Sequence, residues 1–480
     1  MRHVTGASLE GVLAAIFGAV VVVLAGCQTV GPHYEGPPPS AVVNAPAAQG
    51  RFVGSSDAAF ATDPLPAHWW RLYDSQELDE LVDAALKANT DLRAAQANLE
   101  RSQALVRQAR AARQLSAEVN VAPSYQQLSA SSYLYPGTLS PLGLYDAGVS
   151  VSYEVDLFGR LKRAIEAAVA DDEAIQAAYD LTKITVAAET ARAYADACDA
   201  GEELAVTGRS LQLQAQITQT TYQLVEAGRV SRLDLTRSTE QLAEVKATIP
   251  TREAAQTNAL YRLAALTGRP PAEYPKSVEM CTSAPRLRQA LPIGDATALL
   301  RHRPDVREAE RELAAATARI GVATADLYPR ITLGASVGST GAIDHFLSTR
   351  TNRYGTGLGI HWEMNQSMAR ARIAEANAGA KLALAHFDGV VLTALRDTET
   401  ALATYSHDIE RDEDLALAQA GAREAERQAR QLYLAGKVDF LNWLDAQRSL
   451  TAAEDAVAVS HAKLSTDQIS IFLALGGGWE

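Results

Sequence analysis

Two stretches of the sequence decide the fold: LVEAGRVSRLD at residues 224–234 and LYLAGKVDFLN at residues 432–442. The second stretch lies 208 positions after the first, and both contain an Ala-Gly pair followed by a basic residue and valine. Gly228 and Gly436 stand where a helix would end in a left-handed cap and reverse direction. The sequence therefore predicts an internal repeat with one helix reversal in each half.

Further matches at nearly the same offset fix the limits of the repeat. Repeat one is predicted to span residues 75–271 and repeat two residues 291–480, joined by a proline-containing linker at 272–290. Each repeat should contain a helix, a β-hairpin and a long helical pair. The matched pairs are Asp91-Leu92-Arg93 with Asp305-Val306-Arg307, Tyr153-Glu154 with Trp362-Glu363, and Leu266-Thr267-Gly268 with Leu475-Gly476-Gly477.

The helical parts are long and free of proline. No proline occurs from Leu142 to Ile249, or from Arg330 to the last residue. Apolar residues recur there at spacings of three, four and seven, which predicts coiled-coil packing. A helix from about 161 to 226 would be roughly 100 Å long, so we expect an elongated molecule. Shorter helices are predicted at 77–113 and 305–326.

The two hairpins, at about 117–157 and 329–364, alternate apolar with small or polar residues. Val149, Val151 and Tyr153, for example, are separated by Ser150 and Ser152. This pattern is typical of a membrane barrel with a wet lumen. An ordinary half-buried sheet on a soluble domain is the alternative, but few bulky core residues face inward.

Four strands per chain cannot close a barrel, because about eight are needed. An open sheet edge cannot face lipid, since its backbone groups would be unpaired. The strands must therefore be pooled across subunits, and two, three or four copies all meet this requirement.

The N-terminus is a targeting segment. An apolar run ends in Leu24-Ala25-Gly26-Cys27, which resembles a bacterial lipobox. We expect residues 1–26 to be a signal peptide and a lipid to be attached to Cys27; a chance cysteine is the alternative. By resemblance to bacterial lipoproteins, Gln28 after the cysteine favours sorting to the outer membrane. Residues 27–74 should form an extended, lipid-anchored segment, with the Pro- and Gly-rich part at 31–66 acting as a tether.

Membrane helices and a disulfide scaffold are not expected from the sequence. After Cys27 no apolar run reaches the roughly 18 residues of a spanning helix, so any crossing should be made of strands. Cys198 and Cys281 are far apart in the chain and do not define a disulfide framework. We expect both cysteines to be buried or incidental.

Several function classes are disfavoured. The net charge of -13 argues against a nucleic-acid binder. Residues 334–338 match the G-x-S-x-G pattern of hydrolases, but they lie inside an alternating strand with no helix after it. The histidines show no metal-binding spacing, and there is no phosphate-binding loop. No cofactor is expected apart from the lipid. Residues 301–303 suggest either an anion site or, preferably, a charged junction at the helix that begins near Pro304.

With these features in view, the chain resembles the TolC-type outer-membrane efflux factors, and in particular their NodT-like lipoprotein branch. The resemblance covers nearly everything after Cys27. The matching motifs are Val30-Gly31-Pro32-His33-Tyr34, Trp70 with Leu78, Asn89 and Leu92, Glu154 to Arg160, Arg301 to Glu310, and Ala474 to Glu480.

The resemblance implies a mostly α-helical protein with a transmembrane β-barrel. Three chains would form one twelve-stranded barrel, four strands from each, continued by a coiled-coil α-helical tunnel. The trimer would dock through a periplasmic adaptor (a membrane fusion protein) to an inner-membrane transporter. Two departures concern the junctions: Leu115-Ser116-Ala117 lacks the usual proline, and Trp362 is not followed by the usual Pro and Gly-Gly.

The resemblance also implies roles for individual residues. The turns at Gly228 and Gly436 would meet the adaptor. Asp445 and Leu441 would narrow the periplasmic entrance, with Asp234 as the aspartate of the first turn. Leu441 and Asp445 are four residues apart and share a helix face, so a trimer would form a leucine ring and an acidic ring. The alternative is that Leu441 packs in the coiled coil and Asp445 is a surface acid.

The expected function is a passive exit duct in the bacterial outer membrane, serving a tripartite efflux or secretion system. A structural coiled-coil envelope lipoprotein without a pore is the alternative. That alternative explains the helices but not two matched amphipathic hairpins. An exported enzyme is a further class, for which the motifs give almost no support.

Overall fold

The computed structural model describes residues 29–36, 42, 45–56, 58–134, 136–287 and 289–477. The chain divides into two compact units. Unit 1 contains Met1–Pro38, Glu100–Ile175 and Ala309–Phe387. Unit 2 contains Pro39–Leu99, Gln176–Glu308 and Asp388–Glu480. Cys27, the predicted lipid site, and the predicted signal peptide lie outside the described residues.

Helices account for most of the described chain. They are α1 (Gln76–Ala88), α2 (Thr90–Ala111), α3 (Arg160–Glu226), α4 (Arg232–Leu266), α5 (Lys276–Glu279), α6 (Ala296–His302), α7 (Pro304–Ala325), α8 (Ser367–Leu434) and α9 (Phe440–Ala474). The strands are β1 (Phe60–Ala61), β2 (Ser116–Gln126), β3 (Leu142–Val155), β4 (Leu291–Pro292), β5 (Arg330–Ala342) and β6 (Asn352–His361).

The two long helical pairs match each other closely. Helices α3 and α8 have 67 and 68 residues, and α4 and α9 have 35 each. Helix α4 continues through Pro250. At ~1.5 Å per residue, α3 and α8 are each about 100 Å long.

The shorter helix at the start of each repeat is broken in two, whereas the sequence predicted one continuous helix from Glu77. Asn89 separates α1 from α2 because its side chain caps the second helix, accepting hydrogen bonds from the amides of Asp91 (2.9 Å) and Leu92 (3.1 Å). Arg303 and Pro304 mark the corresponding break between α6 and α7, since proline favours the first turn of a helix.

Unit 1 contains one antiparallel sheet in the order β2-β3-β5-β6. Its register aligns residues of one kind across all four strands. Val119, Val149, Val337 and Tyr354 form one such row, and the next row is Glu118, Ser150, Ser336 and Gly355. We call the two sides of the sheet that carry these rows the apolar face and the polar face.

Among the described residues, no core covers this row of the apolar face. Val119 is 71% exposed, Val337 60% and Tyr354 90%. Strands β2 and β6 are the outermost strands of the sheet. Each therefore has one edge without a strand partner in the described part of the chain.

Side-chain contacts hold the junctions between strands and helices. After β6, Trp362 donates from Nε1 to the carbonyl of Leu327 (3.1 Å), and Asn365 accepts from the amide of Ser367 (3.2 Å), where α8 begins. After β3, Arg160 pairs with Glu154 at 2.8 Å. Strand β2 begins at Ser116 without a preceding proline.

Unit 2 packs around a core to which the N-terminal segment contributes. Phe52, Phe60, Trp69 and Trp70 are buried in it, and β1 pairs in parallel with β4. The described parts of residues 45–66 are therefore packed, and the prediction of an extended tether is wrong for them. The prediction failed because Pro and Gly were weighed more than the few aromatic residues among them.

Cys198 and Cys281 form a disulfide with a Cα–Cα distance of 4.7 Å. The expectation that they define no disulfide is therefore wrong, whereas the expected burial is confirmed for Cys198. Cys198 is fully buried on α3, and Cys281 follows α5 in the predicted linker. Gly201 allows the approach, because a Cβ there would lie 2.0 Å from the carbonyl oxygen of Cys281. The bridge ties the linker between the repeats to the long helix α3.

Helix α8 contains a stretch that could cross a membrane by length and composition, with a mean hydropathy of 1.3 and 17% of it buried. The sequence prediction concerned unbroken apolar runs, and Lys381, Asp388 and Arg396 interrupt the apolar residues of α8. The stretch is part of a 68-residue helix, whereas a crossing needs only about 20 residues.

Candidate channel entrance at the two helix turns

Both long helices end in the same hydrogen-bonded turn. Gly228 has a φ of 67° and Gly436 a φ of 68°. The amide of each glycine bonds the carbonyl three residues before it at 2.9 Å, and the next amide bonds the carbonyl five residues before it. This is the Schellman motif, which needs a left-handed residue at the glycine position. The left-handed caps predicted from the sequence are confirmed.

The helices that follow the turns begin with different caps. In the first turn, Ser231 and Asp234 form a capping box, in which the Asp234 carboxylate accepts from the Ser231 amide (3.1 Å) and hydroxyl (2.8 Å). In the second turn, Asp439 is the cap and accepts from the amide of Asn442 (3.0 Å). Asp234 therefore has a structural task that Asp445 does not share.

An aromatic cluster fixes the second turn. The rings of Tyr433 and Trp443 stack with centroids 5.2 Å apart, and Phe440 packs edge-on against both. Trp443 donates from Nε1 to Glu426 on α8 at 2.9 Å. Leu444 is fully buried beside this cluster. These contacts hold the start of α9 against α8.

Leu441 and Asp445 lie on the exposed side of α9. Leu441 is 42% exposed, so it is not a core residue of this chain. Asp445 is exposed, and its carboxylate makes no hydrogen bond or ion pair with any residue that the structure describes. The buried residues Trp443, Leu444 and Gln447 occupy the other side of the helix. The arrangement leaves a leucine and an acid, one turn apart, pointing away from the packed helices.

Asp234 lies close to the second turn. Burial raises the pKa of Tyr433, and the negative charge of Asp234 raises it further. Asp234 itself is half-buried. The two turns are therefore neighbours in unit 2, and all three gate candidates belong to that unit.

The segment that follows the predicted lipid site is docked on unit 1. The guanidinium of Arg163, which is 1% exposed, donates to the carbonyls of Val30 (3.1 Å) and Gly31 (3.0 Å). The amide of Val30 bonds the carbonyl of Phe158 at 3.1 Å. Residues 30 and 31 are thus held beside the start of α3, only three residues after Cys27.

For residues 301–303 the sequence favoured a charged junction over an anion site, and the contacts of Arg303 test that prediction. The guanidinium donates to the carbonyl of Ala474 (2.6 Å), at the end of α9, and pairs with Asp305 at 2.9 Å. A cation at a helix C-terminus stabilises the free carbonyls there. The junction is therefore the correct interpretation.

Residues 334–338, the hydrolase-like pattern, lie within β5, and Ser336 belongs to the polar face of the sheet. No cluster of three or more His, Cys, Asp or Glu residues suited to a metal ion occurs in the part of the chain that the structure describes.

Comparison with known proteins identifies the family. The family model described as outer membrane efflux protein matches residues 81–269 and 296–477, one match in each predicted repeat. Nodulation protein T of Rhizobium leguminosarum bv. viciae is 26% identical over 96% of this chain and 93% of its own length. The probable outer membrane lipoprotein SilC of Salmonella typhimurium is 28% identical over 96% and 98%.

A solved structure indicates the same family as the two relatives. The outer-membrane channel OprN superimposes with a TM-score of 0.86 and 33% identity, covering 94% of this chain and 100% of the OprN chain. The chain therefore belongs to the outer membrane efflux protein family, in the NodT-like branch of the TolC-type channels.

Proposed function

We propose that three copies of this outer-membrane efflux protein form a passive exit duct. Each copy contributes β2, β3, β5 and β6 to a twelve-stranded barrel, and the long helices form the wall of a tunnel in the periplasm. The repeat limits at 75–271 and 291–480 describe the two halves that each copy contributes.

One observation carries the proposal: the sheet has an exposed apolar face, a polar face of small residues and two free edges. An exposed apolar row suits lipid, and a Ser- and Gly-rich row suits a water-filled lumen. Free edges are incompatible with lipid unless another copy pairs with them. A coiled-coil lipoprotein without a pore would have no need for a two-faced sheet.

In this proposal a lipid on Cys27 anchors the exit duct, and the two helix turns bind its partners. A lipid on Cys27 would lie close to the docked residues Val30 and Gly31, and so close to the start of α3. The turns at Gly228 and Gly436 present the surfaces for a periplasmic adaptor, which joins the duct to an inner-membrane transporter. Asp445 and Leu441 form the entrance rings, and Asp234 contributes its charge beside them.

Single-channel recording in a planar bilayer tests the proposal. Purified protein should produce discrete conductance steps without any nucleotide or added partner. Protein that inserts in the outer membrane but never conducts would favour the structural lipoprotein.

A further inference from the structure

A charged cluster lies on the polar face, near the hairpin ends of the strands. Arg353 on β6 donates from Nη2 (2.6 Å) and Nε (3.1 Å) to Oδ1 of Asp146 on β3. Thr340 on β5 donates to the same oxygen at 2.6 Å and accepts from Arg353 Nε at 2.8 Å. The cluster therefore joins three strands, two of which are not neighbours.

Two glycines make this reach possible. Arg353 is paired with Gly338, Gly338 with Gly148, and Gly148 with Asn120, so these residues form one row across the sheet. A Cβ at Gly148 would lie 3.1 Å from Arg353 Nη2, and a Cβ at Gly338 would lie 2.5 Å from the carbonyl oxygen of Ala147. The guanidinium lies beside the space that Gly148 leaves open, and Gly338 allows the close approach of β3 to β5. We call the row of Arg353, Gly338, Gly148 and Asn120 the arginine row.

The arginine row belongs to the polar face, because the neighbouring row of Val119, Val149, Val337 and Tyr354 belongs to the apolar face. The side chains of Arg353 and Asp146 are 41% and 39% exposed. Charged groups this exposed would be costly against lipid but not against water. The next row on the polar face contains Glu118, on the edge strand β2, with Ser150, Ser336 and Gly355, so Ser336 and Gly355 are the residues of that row on β5 and β6.

We propose that Asp146 and Arg353 form a charge filter in the barrel lumen, an inference that rests on the proposed trimeric duct. Three copies would place three carboxylates and three guanidinium groups around one level of the lumen. The ring has no net charge, so it favours neither cations nor anions, and it offers both signs to charged groups of a passing solute. Removing one of the two signs would leave a ring of single charge, and such rings set ion preference in pores.

Reversal potentials in a KCl gradient test the filter. Asp146→Asn exposes three uncompensated positive charges and should lower the permeability ratio of potassium to chloride about two-fold, given screening at ~0.1 M salt. Arg353→Gln should raise the ratio about two-fold by the same reasoning. The double variant Asp146→Asn with Arg353→Gln is neutral again, and its ratio should return to that of the parent.

The double variant separates a filter from a mere clamp between strands. If the ion pair only held the strands together, both single variants would shift the permeability ratio in the same direction. The double variant would then shift the ratio at least as far, and that result would overturn the filter. A conducting parent whose variants all keep its ratio overturns the filter alone. A parent that never conducts overturns the proposed duct and the filter with it.

Asn120→Asp keeps the test decisive if the single variants do not insert. It adds one negative charge per copy to the arginine row and keeps both Asp146 and Arg353, while replacing the amide that hydrogen-bonds the Asp146 carboxylate. It should raise the ratio of potassium to chloride permeability, and an unchanged ratio overturns the filter.

Discussion

The carboxylate of Asp445 differs from the other two acids at the turns, because those two cap helices and Asp445 does not. Asp439 caps α9 and Asp234 closes a capping box, whereas Asp445 is exposed and without a partner among the described residues. At the repeat offset of 208, the counterpart of Asp445 is Arg237. A charge that differs in sign between repeats and pairs with no described residue is better explained by the proposed lumen role than by folding.

The first prediction concerns this entrance. Asp445→Ala should lower the cation preference of the channel, because an acidic ring attracts cations. Leu441→Ala should raise the conductance of the resting channel, because the leucine ring obstructs water and ions. Bilayer recordings measure both quantities.

Asp439→Asn is the matched control, since asparagine caps a helix as well as aspartate and the variant removes one acid from the same turn. It should change selectivity less than Asp445→Ala. If Asp445→Ala and Leu441→Ala both match the parent, these residues do not form the gate.

The second prediction concerns Asp199, a buried carboxyl on α3. Burial raises its pKa to about 7; Arg286 opposes the rise, and Glu202 and Asp196 add to it. Its folded pKa lies above the unfolded value of 3.8, so the folded state binds the proton more tightly. This group therefore lowers stability progressively as pH rises from about 4 to about 7, by roughly 4 kcal/mol in all.

Asp199→Asn should therefore raise the thermal unfolding midpoint at pH 8 and leave it nearly unchanged near pH 4. Circular dichroism of the helices measures the midpoint. Glu413→Gln, at an exposed acid of α8, is the control and should have little effect at either pH. An Asp199→Asn protein that is less stable than the parent at pH 8 would show that the carboxylate is stabilised by contacts.

At the residue scale, the sequence predicted only what local chemistry determines. Gly228 and Gly436 could be predicted because a left-handed cap has a local signature. The Cys198–Cys281 bridge could not, because the helix-to-linker contact that joins the two residues is tertiary. The junction at Arg303 was favoured from the sequence, but its acceptor could not be named for the same reason: the carbonyl of Ala474 lies 171 positions away.

At the scale of structural elements, the third prediction concerns the two helix turns. Gly228→Val and Gly436→Val should each cost ~1–2 kcal/mol, because valine resists a positive φ. No atom lies within 4 Å of either added Cβ, so the cost is one of backbone conformation alone. We expect lost export with normal insertion in the outer membrane, measured by efflux assays and cell fractionation.

Gly421→Val is the control for the turns. Gly421 lies inside α8 with ordinary helical backbone and free space around its Cβ. Export should survive this change. Adaptor crosslinks that map to the strands, and not to the two turns, would contradict the docking role.

The fourth prediction concerns the two faces of the sheet. Ser336 and Val337 are adjacent on β5 but belong to opposite faces. In a conducting channel, Ser336→Cys should react with a charged, water-soluble thiol reagent and lose current. Val337→Cys should not react, because a lipid-facing thiol is inaccessible to such a reagent. Equal reaction at both positions would contradict a lumen on the polar face.

Strand alternation is visible in the sequence because it has a period of two and few residues interrupt it. The break of the first helix at Asn89 was missed because asparagine occurs both inside helices and at their N-caps. Only the contacts of its side chain show which of the two roles it has. The packed segment at residues 45–66 was missed because its burial depends on Phe52 and Phe60 meeting a core that is distant in sequence.

At the scale of the whole molecule, the number of copies is the property that the sequence leaves most open. The free edges of β2 and β6 require a partner strand, but they do not determine how many copies form the barrel. The membership in a family of outer-membrane channels narrows the choice, and OprN shares the fold at a TM-score of 0.86. Three copies of four strands give a barrel of twelve, well inside the range of known outer-membrane barrels.

The fifth prediction is therefore a trimer joined through strand edges and anchored by lipid. Light scattering in detergent should give the mass of three chains, each 51.2 kDa before the signal peptide is removed. Cys27→Ser should no longer incorporate radiolabelled palmitate, but it should keep the trimer if the edges alone hold the barrel together. A stable monomer that conducts ions on its own would refute the pooled barrel, because four strands cannot enclose a lumen.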